Sequence, residues 1–312
     1  MRVVVALGGN ALLRRGEPPT IETQRRNVQI AATAVADLAR DHQLALAHGN
    51  GPQIGLLALQ AAAFKATEPY PLDVLNAQTE GMIGYLLEQE LMNALPSEEQ
   101  CATLLTMVEV DASDPAFKTP TKPIGPVYDA AEASRIAAET GWIFAEELPG
   151  QWRRVVPSPV PRRILEIEVI RYLVDAEIVV ICAGGGGIPT RRSEGGRLEG
   201  VEAVIDKDRA AYLLAMEIGA KALLFLTDVE AVFENWGTPH QRPIRRAVSP
   251  EELEAMEFDP GEMGPKVEAA CAFVRATGGI AGIGRLEDAR AILEGRAGTL
   301  VTASKDVAPA VA

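Results

Sequence analysis

The sequence contains few of the residues that build disulfide frameworks and metal centres. Three of its 312 residues are cysteine, they stand far apart at positions 101, 182 and 271, and no CxxC pair occurs. The three histidines form no recognisable metal motif. An odd and scattered set of thiols predicts neither a disulfide scaffold nor a zinc site. It is typical of a reducing compartment, where cysteines serve as small buried apolar side chains.

Long apolar runs and an excess of positive charge are also missing. The apolar run near the N-terminus ends at Gly8, too early for a signal peptide, and no stretch approaches the ~18 apolar residues that cross a bilayer. The formal net charge is −13, whereas a general binder of nucleic acid or anionic membrane is normally basic. We therefore expect a cytoplasmic protein that binds small molecules, with no membrane or nucleic-acid partner.

Short β-branched runs alternate with helical periodicity along most of the chain. The composition is that of a globular protein, with 47% hydrophobic and 23% charged residues. Repeated strand–helix units predict an α/β fold whose mostly parallel sheet is covered by helices on both faces. The predicted strands are residues 3–7, 44–47, 103–110, 178–183 and 222–227, and the predicted helices include residues 23–40, 76–92, 164–175, 206–218, 265–276 and one that Ser249 begins with a capping box.

The segment from residue 113 to 161 differs from the rest because eight prolines interrupt it. Proline fixes φ and removes a hydrogen-bond donor, so a central strand is not expected there. The segment is therefore either a long loop or a small subdomain on the main sheet, and long segments of this kind are usually functional or mobile.

Three of the predicted strands run directly into glycine-rich turns. These turns occupy residues 8–10 (Gly-Gly-Asn), 49–53 (Gly-Asn-Gly-Pro-Gln) and 184–187 (four glycines). Ligands of open α/β sheets bind beyond the carboxyl ends of strands, and glycine lets backbone N–H groups approach an anion closely. Glycine after a strand is also common punctuation, but three such turns favour a phosphate or nucleotide site.

Two widespread phosphate motifs are absent. No G-x-x-x-x-G-K-[ST] occurs, which excludes a P-loop protein. Gly49, Gly51 and Gly55 have the spacing GxGxxxG, one residue longer than the dinucleotide fingerprint. A nicotinamide dehydrogenase is therefore disfavoured.

The scarcity of lysine makes the few lysines informative. Seven of the 30 basic residues are lysine, and two of them, Lys207 and Lys266, stand at predicted helix starts. A cation in the first helical turn opposes the helix dipole at a cost of roughly 0.3–1 kcal/mol. The pair suggests that an anion lies between them, although exposed lysines are also tolerated at helix ends.

Other polar residues leave alternatives open. Asp208 could pair with either of the helix-start lysines, or it could be a favourable carboxylate at a helix N-terminus, and both interpretations can hold together. Lys122 stands on a proline-stiffened segment that is either a lid carrying a cation over the site or a rigid surface loop. Asp228 suits a nucleotide contact and equally the cap of the next turn. His48 is expected to hydrogen-bond the adjacent glycine turn.

Seven segments along the chain carry a family resemblance. They are residues 4–11 (VVALGGNA), 48–53 (HGNGPQ), 120–126 (PTKPIGP), 152–159 (WRRVVPSP), 184–189 (GGGGIP), 200–208 (GVEAVIDKD) and 263–269 (MGPKVEA). Together and in this order they resemble the carbamate kinases of the amino-acid kinase superfamily. Related kinases of that superfamily place a lysine two residues before the first Gly-Gly. Here that position is Ala6, and the resemblance implies that Lys207 takes over its phosphate contact, which favours a carbamate kinase over an acetylglutamate, aspartate or uridylate kinase.

The resemblance implies a fold, a reaction and an assembly. The fold would be a three-layer α/β/α sandwich, with residues 1–205 binding carbamate or carbamoyl phosphate, a protruding subdomain at about 113–161, and residues 206–312 binding the nucleotide. The reaction would be reversible phosphoryl transfer between carbamoyl phosphate plus ADP and carbamate plus ATP, with Mg²⁺ as cofactor. The resemblance also implies a homodimer, and no protein side chain is predicted as a ligand of the metal.

Motifs and resemblance together give candidate site residues with three tasks. Those predicted to be catalytic are Lys122, Lys207, Asp208 and Lys266. Those predicted to bind the phosphoryl group and the substrate are Gly8, Gly9, Asn10, Gly49, Asn50 and Gly51. Those predicted to bind the nucleotide are Thr227, Asp228, Trp236, Met263 and Gly264.

Some features depart from the family pattern or leave the function open. Glu262 stands where serine is frequent, and Thr190 and Gly282 stand where aliphatic residues are usual. Another amino-acid-kinase-type phosphotransferase remains an alternative, as does a nucleotide-binding sensor without turnover. ATP recovery from arginine or purine breakdown and the supply of carbamoyl phosphate would look alike in the sequence.

Overall fold

The computed structural model describes residues 1–13, 16–18, 20–64, 70–259 and 261–303, and the side chains of Asn10 and Ala11 are not part of that description. The elements are, in chain order, β1 (Arg2–Leu7), α1 (Gly9–Leu12), α2 (Ile21–Ala39), β2 (Gln43–His48), α3 (Gly51–Phe64), α4 (Leu72–Ala94), β3 (Cys101–Thr103), β4 (Met107–Val110), β5 (Lys122–Tyr128), α5 (Ala130–Thr140), β6 (Phe144–Leu148), β7 (Gln151–Val156), β8 (Pro161–Ile164), α6 (Ile167–Asp175), β9 (Val179–Ile181), β10 (Ile188–Arg192), β11 (Leu198–Gly200), α7 (Lys207–Ile218), β12 (Ala222–Thr227), β13 (Phe233–Glu234), β14 (Arg242–Pro243), β15 (Ala247–Val248), α8 (Pro250–Glu254), α9 (Met263–Thr277), β16 (Ile280–Arg285), α10 (Ala289–Leu293) and β17 (Thr299–Val301). Short 3₁₀ turns cover Pro115–Phe117, Gly184–Gly186 and Leu286–Asp288.

An eight-stranded sheet forms the centre of the molecule, with strand order β15-β17-β16-β12-β1-β2-β9-β3. All of its neighbouring strands are parallel except β16 and β17. This confirms the predicted mostly parallel sheet. The carboxyl ends of β12, β1, β2 and β9 meet along one edge, which therefore brings the turns that follow these strands together.

Helices cover both faces of this sheet, which explains why its strands are continuously apolar. Along β1, Val4 and Ala6 pack into the core on the side of α6, α7 and α9, whereas Val3, Val5 and Leu7 pack against α2 and α4 on the opposite side. Each fully buried valine or leucine contributes about 1.5–3 kcal/mol relative to exposure. Among the helices that the structure describes, none is long and apolar enough to cross a membrane.

A small module protrudes from the main sheet between residues 122 and 156. Its antiparallel sheet has the order β5-β7-β6, and α5 packs on β7. Pro123 and Pro126 lie in β5, an edge strand of this sheet. An edge strand pairs on one side only, so the missing N–H of proline does not interrupt pairing with a second strand. The segment is thus an ordered subdomain and not a long loop. The division at residue 205 remains a prediction, because one continuous sheet contains strands from both sides of it.

Two predicted elements were wrong at their boundaries. The predicted strand over residues 103–110 is broken, because β3 ends in the main sheet and β4 belongs to a separate sheet of order β11-β10-β4-β8. The chain turns at Thr106, whose backbone N–H donates to the buried carboxylate of Glu80 (2.9 Å). The helix predicted from Ile164 begins at Ile167, since Ile164 ends β8 and pairs with Val108.

Helix caps explain two other starts. The hydroxyl of Ser249 accepts a hydrogen bond from the Glu252 N–H (3.3 Å) and Pro250 occupies the first turn, which confirms the predicted start of α8. Asp206 precedes α7 and is its N-cap, so that helix begins one residue later than predicted. Cys182 and Cys271 are buried, as predicted, whereas Cys101 is only half-buried.

The protruding module contacts the body of the protein through bare backbone. A Cβ atom placed on Gly55 of α3 would lie 1.9 Å from the Cα of Gly125 in β5. Gly55→Ala must therefore push β5 away from α3, and we expect it to lower the free energy of unfolding by about 1–3 kcal/mol in urea denaturation. Gly81→Ala in α4 is the matched control, because its Cβ would meet no atom within 4 Å. Equal stabilities of the two variants would contradict this packing.

Candidate active site

A cleft of about 780 Å³ opens at the carboxyl edge of the sheet. The turns after β1, β2 and β12 form its floor, the module supplies one wall through Lys122 and Arg153, and residues near the start of α9 supply another. All the predicted site residues line this cleft except Asn10 and Gly264. The Asn10 side chain lies outside the described part of the chain, and Gly264 is not among the described residues that line the cleft.

The two N-terminal glycine turns are locked against each other. The N–H of Gly8 donates to Leu226 O in β12 (2.8 Å), and the N–H of Gly49 donates to Leu7 O (2.9 Å). A Cβ on Gly49 would lie 2.8 Å from the backbone nitrogen of Gly9. Only glycine allows this approach, and the result is a compact backbone cradle of the kind that suits a phosphate-sized anion.

A buried hydrogen-bond network fixes Asn50 between these turns. Its Nδ2 donates to Asn76 Oδ1 (2.6 Å) and Thr79 Oγ1 (2.8 Å), both on α4. Gly185 packs on this side chain with φ of +64°, and a Cβ there would lie 2.1 Å from Asn50 Nδ2. The third glycine turn therefore helps to hold Asn50. His48 Nδ1 lies 3.3 Å from Gly49 O, which confirms its predicted bond to the turn.

Asp208 joins the two lysines that the sequence singled out. Its Oδ1 accepts from Lys207 Nζ (2.5 Å) and its Oδ2 from Lys266 Nζ (3.3 Å). Lys266 also donates to Glu262 O (2.8 Å). Both interpretations of Asp208 hold, because it pairs with the two lysines at once and also stands in the first turn of α7. Two helices, α7 and α9, are thereby brought together by one carboxylate.

A second carboxylate, that of Asp206, pairs with Lys122 of the module. Its Oδ2 accepts a short hydrogen bond from Lys122 Nζ, while its Oδ1 accepts from the N–H groups of Asp208 (2.9 Å) and Arg209 (3.2 Å). The two aspartates and the three lysines with which they pair form one cluster, which contains three cations and two anions. It therefore has one positive charge in excess, in a partly buried place where a bound anion would balance it.

Burial and charge act differently on the two helix-start lysines. Burial lowers the pKa of Lys207 to about 8, although the adjacent Asp208 opposes this shift. Burial also acts on Lys266, but the pull of Asp208 outweighs it and raises the pKa of that lysine. Lys266 is therefore a fixed cation, whereas Lys207 is a cation that loses its proton as the pH rises through about 8.

The other wall of the cleft suits a flat apolar group beside a polar edge. Thr227 Oγ1 donates to Asp228 Oδ1 (3.0 Å) where β12 ends. Trp236 is 57% exposed and packs edge-on against Phe233 with ring centroids 5.0 Å apart. Gly264 does not line this wall but contacts its backbone. The Gly264 N–H donates to Asp259 O (2.8 Å), and a Cβ on Gly264 would lie only 2.9 Å from that oxygen.

Several residues that line the cleft were not predicted from the sequence, among them Asp206, Arg153 and Glu147. Asp206 stood inside the quoted motif at 200–208, but no ion pair was assigned to it. Arg153 lines the cleft, with Nε donating to Gly125 O (3.2 Å) and its guanidinium 3.3 Å from Glu147, which also lines the cleft. The arginines of the segment at 152–159 were the available signal, but only the fold shows which of them faces the cleft.

The three departures from the family pattern lie in different environments. Gly282 is required by packing, because a Cβ there would lie 2.4 Å from Ile292 Cγ2. Thr190 is buried, and its hydroxyl donates to Val108 O (3.3 Å). Glu262 lines the cleft, and its backbone carbonyl is the group that accepts from Lys266.

Known carbamate kinases match nearly the whole chain. The model of the Amino acid kinase family matches residues 1–282. The chain is 57% identical to the carbamate kinase of Rhizobium meliloti, over 97% of this chain and 94% of the relative, and 55% identical to that of Haemophilus influenzae, over 97% of both. The solved carbamate kinase of Giardia lamblia bound to AMP-PNP is 40% identical, with a TM-score of 0.86 over 96% of this chain and 98% of that one.

The residues matched by the family model include all the described segments that line the cleft. These similarities agree with the parallel sheet, the glycine turns and the lysine cluster described above. The chain therefore belongs to the amino acid kinase family, and within it to the carbamate kinases.

Proposed function

We propose that this enzyme transfers the phosphoryl group of carbamoyl phosphate to ADP, reversibly, forming ATP and carbamate, which decomposes to ammonia and CO₂. The observation that carries the proposal is the cluster of Lys122, Lys207 and Lys266 on two aspartates at the carboxyl edge of the sheet. Phosphoryl transfer needs positioning and neutralisation of charge more than covalent chemistry, and this cluster supplies both.

The residues divide into a cradle and a set of cations. The turns at Gly8, Gly9, Gly49 and Gly51, with the held side chain of Asn50, would surround the transferring phosphoryl and the carbamate. The N–H groups of Gly8 and Gly49 already donate to carbonyls of β12 and β1, and the Asn50 amide donates to α4. The donors to the phosphoryl group would therefore be the N–H groups of Gly9 and Gly51. Such preorganised donors stabilise the transition state because they need no reorientation as charge develops.

The lysines would each neutralise a different part of the developing charge. Lys207 and Lys266 would act at the β–γ bridge and the equatorial oxygens, with Asp208 fixing their directions, while Lys122 would contact carbamate or carbamoyl phosphate from the module. No general base is required, because carbamate is already an anionic nucleophile.

The nucleotide would lie on the remaining wall of the cleft. Asp228 and the exposed ring of Trp236 offer a polar and an aromatic surface for ribose and base, with Thr227 and Met263 beside them. Gly264 would act indirectly, by shaping the backbone next to this wall. The carbamate kinase of Giardia lamblia was solved bound to the ATP analogue AMP-PNP, which supports nucleotide binding at a site of this fold.

Mg²⁺ fits this site as a companion of the nucleotide. No group of three or more His, Cys, Asp or Glu among the described residues could hold a metal ion by itself, and both aspartates of the cluster already face lysines. Phosphate oxygens of the nucleotide would therefore hold most of the ion, as is usual for Mg²⁺. Its chemistry there would be the neutralisation of phosphate charge.

The depressed pKa of Lys207 predicts an alkaline limit of activity. The charged form is needed to bind phosphate, and it is lost as the pH rises through about 8 in the free enzyme. We therefore expect kcat/KM to fall above about pH 8, and kcat to fall at higher pH because bound phosphate favours the charged lysine. Lys207→Arg stays charged throughout, so its kcat/KM should show no such limb. An alkaline limb that is unchanged in this variant would assign the titration to another group.

A panel of acceptors separates this proposal from its alternatives. With ATP and Mg²⁺, purified protein should phosphorylate carbamate and not acetylglutamate, aspartate or uridylate. Turnover of one of these instead would favour another amino-acid-kinase reaction. Nucleotide binding without transfer to any acceptor would favour a sensor.

We also propose that the chain forms a homodimer, as the resemblance implies. Tyr85 and Met92 on α4 are about half exposed, and they lie beside β3, the edge strand of the main sheet. Exposed apolar side chains beside a sheet edge are typical of an association surface. Light scattering after size exclusion should give twice the chain mass, and a value of one chain mass would contradict the proposal.

A further inference from the structure

Asp206 occupies a junction that the phosphoryl-transfer proposal leaves unassigned. Its side chain is buried, with 10% of its surface exposed, between the N-terminus of α7 and the first residue of β5. Asp206 is itself an anion, so it cannot neutralise phosphate, and yet it lies in a cleft that is expected to bind anions. Its position in the cleft therefore needs an explanation other than neutralising the charge of the substrate.

The two oxygens of Asp206 have separate tasks. Oδ1 accepts two N–H groups in the first turn of α7, which is ordinary helix capping. Oδ2 faces Lys122 Nζ, from a position 84 residues earlier in the chain. The burial of Asp206 would raise its carboxyl pKa, but the charge of Lys122 lowers it well below the usual range. The carboxylate therefore remains charged and available to the lysine across the working pH range.

This contact connects the module directly to the element that carries Lys207 and Asp208. The module also shares a small apolar cluster with α3 and α4 through Ile124 and Val156, and its backbone approaches Gly55 of α3. Those contacts hold the backbone of β5, whereas the ion pair with Asp206 holds the ammonium group of Lys122 itself.

We propose that Asp206 is a positioning residue that holds Lys122 over the cleft, so that this lysine is aimed at the acidic substrate at a fixed distance from Lys207. This inference rests on the proposed function. In the free enzyme the pair keeps the flexible lysine side chain in one place, and the substrate anion then shares the ammonium with the carboxylate. The lysine can accommodate both partners because its ammonium has three N–H donors.

Asp206→Asn separates positioning from capping. Asparagine caps helices as well as aspartate does, whereas its neutral amide no longer attracts Lys122. We expect kcat/KM for carbamoyl phosphate to fall roughly tenfold, with less than a twofold change in KM for ADP. In a Lys122→Met background the same substitution should change kcat/KM less than twofold, because its effect passes through that lysine. Asp129→Asn, at the exposed N-cap of α5, is the matched control and should leave both constants unchanged.

Hydrogen exchange tests the contact without reference to the reaction. In Asp206→Asn, the amides of β5 and β7 should exchange faster while those of α7 keep their protection. If carbamoyl phosphate and ADP gave no turnover with the intact protein, the proposed function would fail and this exchange result would still decide the positioning role. Equal losses of kcat/KM with and without Lys122, or faster exchange in α7 alone, would reduce Asp206 to a helix cap and overturn the inference.

Discussion

Lys266→Ala is expected to lower kcat about 10²–10³-fold, the usual loss when one preorganised contact to developing charge is removed. Lys266 is buried, its pKa is raised by Asp208 against the effect of burial, and it is held between that carboxylate and Glu262 O. It is therefore a permanent cation in a fixed place. Alanine removes that charge, and its loss should weigh more on the transition state than on the ground state.

The matched control for this loss is Lys221→Ala. Lys221 is exposed and directly precedes β12, at the edge of the sheet opposite to the cleft. Steady-state kinetics should give near-normal kcat for Lys221→Ala and a strongly reduced kcat for Lys266→Ala, with circular dichroism confirming that both variants fold. A near-normal kcat for Lys266→Ala would refute its proposed role.

Asp208→Asn should cost the most stability of any single change in the site, about 3–5 kcal/mol of unfolding free energy. One carboxylate separates Lys207 from Lys266, with contacts of 2.5 and 3.3 Å. The amide of asparagine can accept from one lysine only and presents N–H groups to the other. Two buried ammonium groups would then face each other with only the weaker attraction of other carboxylates, such as Asp206, to offset their repulsion, and the pKa of Lys207 should fall further.

Urea denaturation measures this cost, and Asp228→Asn provides the comparison. Asp228 is an exposed carboxylate of the same cleft whose Oδ1 accepts only a hydroxyl among the described contacts, so the asparagine variant should remain within about 0.5 kcal/mol of the natural protein. Addition of the nucleotide should partly restore Asp208→Asn, because phosphate supplies the missing negative charge. Equal stabilities of the two variants would show that Asp208 does not hold the lysines apart.

Local sequence patterns were sufficient to predict the frame of the site. A continuous β-branched run ending in glycine, as at residues 3–9, identifies both a buried strand and the ligand-binding end of it. A lysine in a first helical turn, as at Lys207 and Lys266, conflicts with the helix dipole and so indicates a missing anion. Both signals depend on neighbours within a few residues, which is why they could be recognised without the fold.

Features that depend on distant residues could not be predicted in this way. The break at Thr106 is caused by the Glu80 carboxylate, 26 residues earlier, and the run of apolar residues around it contains no local signal for a turn. The second task of Asp206 depends on Lys122, 84 residues away. The prolines of β5 opposed a central strand correctly, but they could not indicate that this strand is the edge of a separate small sheet.

The central claim is that the cleft moves a phosphoryl group from carbamoyl phosphate to ADP. Phosphorus-31 NMR of intact protein with both substrates and Mg²⁺ follows the group itself. The carbamoyl phosphate signal should decline as the γ-phosphate signal of ATP grows in equal amount, and the exchange should reverse when ATP and carbamate are supplied. Persistence of both substrates, or release of inorganic phosphate in place of ATP, would contradict the claim.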